Sequence, residues 1–131
     1  MVEERRELEE AGYATLGQAV AGHVMISVVI APLVVGVLWL LGLIMQPGTD
    51  VGAIVVLGLV TTVASEVLMA LGERPAVVRA RHSTPGGWGY AMWIFVVPPL
   101  VGFAVGWWES PRVAVPTALA ALIVFWAVGL W

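Results

Sequence analysis

Glu66 and His23 are the side chains best suited to proton chemistry in this sequence, because each is an ionisable group set inside a long apolar run. An acid within about 20 consecutive apolar residues is costly enough to require a partner or a function. Ser27 follows His23 by four residues and Thr62 precedes Glu66 by four, so on a helix each ionisable group shares a face with a hydroxyl. As antiparallel neighbours the two segments bring His23 and Glu66 to similar depth, and Tyr90 could reach that level from a third segment. The spacing predicts a buried polar cluster of His23, Ser27, Thr62, Glu66 and Tyr90 facing the interior of a helical bundle. In such a semi-dry layer burial favours the neutral form of an acid, whereas a nearby imidazolium favours the charged form. A Glu–His pair held between those pulls could change protonation near neutral pH and relay a proton. The other reading of the same pair is an interhelical hydrogen bond that fixes register, worth about 1 kcal/mol or less.

Other chemistries find little material. There is no cysteine, so thiolate metal sites, redox pairs and disulfides are excluded, and the lack of asparagine removes any N-glycosylation acceptor. His23 sits within a span and His82 in a loop, so they cannot both face one haem. No metal-binding spacing, phosphate-cradling glycine loop or serine-centred motif can be placed, so neither an enzyme nor a cofactor or metal site is expected. Six arginines scattered over a chain of net charge −3 form no basic stripe, which makes nucleic acid a poor partner.

The segments that must position the polar residues are apolar and long. The chain is 60% hydrophobic and 11% charged, with a mean hydropathy of +0.96, against about half and a quarter in ordinary soluble domains. That composition points to an all-α integral membrane protein with four transmembrane helices in an up-down bundle, in contact with the lipid bilayer. The spans are read at 18–45, 51–71, 89–108 and 113–131, with a turn QPGTD after the first and ESPR after the third. The first is longer than a hydrocarbon core of about 30 Å requires, so it must tilt, bend at Pro32 or project beyond the core. Residues 1–17 are expected to form an acidic, solvated helix, with five Glu against two Arg among Met1–Glu10, and do not read as a secretory signal. Residues 72–88 read as the one substantial loop, closed by Ser-Thr-Pro-Gly-Gly.

Arginine placement sets the orientation. Arg5, Arg6, Arg74, Arg79 and Arg81 fall on one side of a four-span arrangement and only Arg112 on the other, which predicts both termini in the cytoplasm of a multi-pass protein in the cell (inner) membrane. Arg74, Arg79 and Arg81 serve that topology, or a cytoplasmic contact. Trp88 and Tyr90 at one end of the third span, and Trp107 and Trp108 at the other, match the aromatic belts of two membrane surfaces.

Spans one and three share a pattern at an offset of 67 positions: Gly22, Met25, Val29, Pro32, Leu33 and Val34 correspond to Gly89, Met92, Val96, Pro99, Leu100 and Val101. A duplicated helical hairpin would produce this, although Glu66 then has no counterpart within the chain. Kinks are expected at Pro32, Pro98, Pro99 and Pro116, and Pro98 and Pro99 deprive the carbonyls of Ile94 and Phe95 of their helical donors. Freed carbonyls of that kind line cavities in some transporters. Gly102 with Gly106, and Ala114 with Ala118, are small-xxx-small pairs suited to close helix packing.

At the level of architecture, four spans with one buried glutamate resemble the small multidrug-resistance exporters. Their acid lies in the first span and their weak charge bias permits dual topology, whereas here the acid lies in the second and the bias is firm. The small-residue faces point first to an accessory, assembly or regulatory subunit docking on another membrane protein or on itself. The alternative is a homo-oligomeric proton-coupled small transporter or channel using Glu66 with His23.

Overall fold

The computed structural model describes the backbone of residues 16–82 and 88–130, and the side chains of residues 17–71 and 95–129. Within those limits the protein is all-helical: α1 Leu16–Met45, α2 Val51–His82, α3 Trp88–Glu109 and α4 Pro111–Leu130. The expected N-terminal helix lies outside the described residues, apart from Leu16 and Gly17, which already belong to α1. Three stretches, Gly17–Met45, Val51–Leu71 and Pro111–Gly129, are long and apolar enough to cross a membrane, and Phe95–Glu109 adds a shorter apolar helix.

Turn chemistry delimits these helices. After α1, Gly48 takes a φ of +90°, which an L side chain rarely adopts, and Thr49 Oγ1 donates to the Gln46 carbonyl at 2.7 Å. Asp50 then caps α2, its Oδ2 accepting from Ala53 N at 3.2 Å. Between α3 and α4 a single non-helical residue remains, Ser110, whose hydroxyl accepts from Arg112 N at 3.3 Å while Pro111 takes the first helical position. The helices run through Pro32, Pro98, Pro99 and Pro116 without interruption.

One boundary departs from expectation. Residues 72–82, read as loop, continue α2, so this helix reaches 32 residues and about 48 Å, well past its apolar part. Gly72 and Pro75 disfavour a helical interior, but each is single, and the Ala- and Arg-rich stretch behind them favours helix. Arg74, Arg79 and Arg81 therefore stand on a helical extension rather than in a loop.

Packing is by hairpins. In α1 and α2, His23 meets Glu66, Val35 meets Gly58, and Gly42 meets Ile54, so residue numbers rise on one helix as they fall on the other and the pair is antiparallel. The same test on Gly102 against Thr117 and Ala118, and Gly106 against Val113 and Ala114, makes α3 and α4 antiparallel. The hairpins join through α2 with α3 and α1 with α4, α2 touches α4 only lightly, and α1 and α3 do not meet among the described residues. The core between them contains Val34, Leu38, Leu57, Val97, Ala120, Ala121, Val124 and Phe125. Val28, Val29, Leu40, Ile44 and Trp108 face outward, so oily side chains occupy the outside as well as the inside. A helix apolar on every side suits a non-aqueous surrounding.

Candidate functional site

Among the described residues the bundle buries seven polar or ionisable side chains, and one interhelical contact joins two of them. His23 Nδ1 and Glu66 Oε2 are 2.7 Å apart, joining α1 to α2 across 43 residues of sequence. His23 is 6% exposed and Glu66 2%. A single proton serves this bond, whether it rests on the acid or on the imidazole. Glu66 is the largest of the fully buried side chains, so the interior of α2 is built around an acid where a leucine would otherwise pack.

The other residues of the expected cluster divide. Ser27 and Thr62 are buried in the same hairpin, but neither hydroxyl reaches the pair: Ser27 Oγ donates to the His23 carbonyl at 3.3 Å and Thr62 Oγ1 to the Gly58 carbonyl at 2.7 Å. A helical Ser or Thr commonly turns back to the carbonyl four residues earlier in this way. The backbone of Tyr90 lies in the first turn of α3, and its side chain lies outside the described residues, as do those of Arg74, Arg79 and Arg81.

Three buried hydroxyls belong to the interior without having been singled out by the sequence reading: Thr61, Ser65 and Thr117. Thr117 Oγ1 donates to the Val113 carbonyl at 2.6 Å. Thr61 Oγ1 and Ser65 Oγ, both fully buried, make no hydrogen bond. An unpaired buried hydroxyl costs about 1–3 kcal/mol. The signal for them was polar density, since Thr61, Thr62, Ser65 and Glu66 fall within six consecutive positions of an otherwise apolar span.

The paired prolines of α3 resolve differently from a cavity-lining motif. Pro98 is fully buried, and the carbonyl of Phe95, which Pro99 leaves without a helical donor, accepts the indole Nε1–H of Trp126 at 2.8 Å. The rings of Phe95 and Trp126 also meet edge to face at 5.3 Å between centroids. Tryptophan is a donor only, and a carbonyl freed by proline is the acceptor it lacks within its own helix.

Gly102 and Gly106 bring α3 against the backbone of α4. A Cβ at Gly106 would stand 2.7 Å from the Val113 carbonyl oxygen and 2.8 Å from Ala114 Cα, and one at Gly102 would stand 2.8 Å from the Thr117 oxygen and 3.1 Å from Ala118 Cα. On the other hairpin an outward groove of about 520 Å³ runs between α1 and α2, lined by Ser27 and eight apolar residues that include Ala31, Pro32, Val35 and Leu59. Its lining includes Val24 and Ser27, which follow His23 by one and four residues. Among the described residues no three His, Asp or Glu side chains gather where they could hold a metal ion.

No protein-family model, curated protein or solved structure matches the chain.

Proposed function

We propose that this chain is a four-span membrane protein whose activity is linked to protonation of the Glu66–His23 pair, acting as a small homo-oligomeric proton-coupled transporter or channel. The supporting observation is the 2.7 Å contact between two ionisable side chains, each more than nine-tenths buried. Low-dielectric surroundings disfavour a net buried charge, so the pair is expected to be held overall neutral by one shared proton. Gain or loss of that proton changes the charge of the interior by a full unit, which is the event that proton-linked carriers use. In this reading the four helices alternate up and down, the hairpins descend from a duplication, and both termini and the helical extension with Arg74, Arg79 and Arg81 face the cytoplasm of the cell (inner) membrane. The close approach of Gly102 to Ala118 and of Gly106 to Ala114 weakens the case for an accessory subunit, because the faces expected to receive a partner meet each other within the chain.

One observation keeps the accessory reading as a second proposal. Gly36 has open space where a Cβ would stand and lines a shallower depression with Trp39, Pro32 and Val55, a surface on which a partner helix could approach closely.

The test uses protein reconstituted in vesicles. Infrared spectra should show a buried carboxyl band that is lost in Glu66→Gln. Dye-reported proton entry down an imposed gradient should exceed that of empty vesicles and fall to their level in the variant. Proton entry in Glu66→Gln equal to that of the parent overturns the proposal and leaves the pair as a register-fixing hydrogen bond.

A further inference from the structure

Five buried hydroxyls among the described residues face the same choice, and two decide it differently. Ser27, Thr62 and Thr117 donate to the carbonyl four residues back, an option open to a helical Ser or Thr by side-chain rotation alone. Thr61 and Ser65, completely buried on consecutive turns of α2, make no bond at all. In the chain they neighbour the ionisable layer, Ser65 preceding Glu66 and Thr61 preceding Thr62.

We infer that Thr61 and Ser65 hold one internal water molecule against Glu66. Residues four apart on a helix have their Cβ atoms about 5–6 Å apart, and two O–H···O bonds of about 2.8 Å placed end to end span that distance. Glu66, the next residue after Ser65, would be the third partner: its hydrogen bond with His23 uses Oε2, and among the described residues Oε1 meets no protein donor. An internal water needs two to four polar partners, and these three meet the need. A divalent cation does not fit, because it requires about six or more oxygens and these three groups supply fewer.

The functional consequence rests on the proton-linked reading, although the binding of the water does not. Water beside Glu66 extends the His23–Glu66 bond towards the centre of the bundle, so a proton leaving the carboxyl passes to the water, which gives up one of its own to the next acceptor. Nothing is consumed in the step; one O–H bond forms for each that breaks.

The sign of a stability change tests the site. Thr61→Val keeps the shape and removes the hydroxyl. If the hydroxyl has no partner, its removal raises the unfolding midpoint; if it holds a water, removal lowers it by a few degrees. We expect the fall, with Ser65→Ala lowering the midpoint likewise, the double variant falling less than the sum of the two because both lose the same water, and Thr61→Ser staying near the parent. An unchanged or raised midpoint in both Thr61→Val and Ser65→Ala overturns the inference. Proton entry into vesicles separates the two proposals: destabilisation by Thr61→Val in a protein that admits no protons upholds the water site and refutes the relay alone.

Discussion

In α1–α2 the helices are tied by a hydrogen bond between two ionisable side chains, and Val35 and Pro32 leave a groove open beside them. In α3–α4 the helices meet backbone to backbone, with Gly102 and Gly106 against Ala118 and Ala114, and an interhelical hydrogen bond pairs an indole with a carbonyl freed by proline. The two hairpins share a sequence pattern across their first helices, and Leu33 and Leu100 both point outward. What differs is the second helix. α2 presents Thr61, Thr62, Ser65 and Glu66 to the interior, where α4 presents Thr117 and a row of alanines. Close packing between apolar helices depends on small residues, because a non-aqueous surrounding gives no hydrophobic drive for apolar helices to associate. The α1–α2 hairpin closes on a glycine too, Gly58 against Val35, and what it adds is a contact between ionisable side chains, which a proton can switch.

The largest effect should separate the two hairpins most clearly. Gly106→Val forces side-chain atoms into the Val113 and Ala114 backbone, which cannot yield as a side-chain tip does, and should cost about 3 kcal/mol in reversible detergent unfolding. A cost near zero would mean that the α3–α4 contact is looser than its geometry. Next, a double-mutant cycle of His23→Ala and Glu66→Gln should return a coupling of about 1 kcal/mol in the same assay. A coupling indistinguishable from zero would remove the bond as the tie of the first hairpin and blunt the contrast. The smallest effect belongs to Gly36→Ala, where nothing lies within 4 Å of the added methyl. Stability should hold or rise by at most about 1 kcal/mol through helix propensity, and a loss would show that another helix already occupies that face.

Much of this was legible in the residues. Long runs without charge marked helices, and Gln46–Asp50 and Ser110–Pro111 marked their ends, because caps and turns are local chemistry. Glu66 and His23 were each conspicuous as ionisable groups in apolar surroundings, and antiparallel neighbours joined by a short turn must bring such positions to similar depth. The extension of α2 beyond Leu71 was not legible, since Gly72 and Pro75 carry the signal of a break while the residues behind them favour helix. Nor was the direction of each hydroxyl: Ser27, Thr62, Thr61 and Ser65 look alike in a sequence, and only the local geometry shows that two turn back to their own helix and two do not.

By itself, then, the order of amino acids determined that this protein is helical, that its helices are apolar on all sides, and which ionisable groups lie within them, because these follow from composition and from a period of 3.6 residues. The tertiary structure decided which small residues close on one another, that Trp126 satisfies the Phe95 carbonyl, and that the acid's oxygen meets a ring nitrogen at 2.7 Å. Those outcomes depend on the rotation of each helix about its own axis, and helices apolar all round carry no amphipathic stripe by which a sequence could specify that rotation.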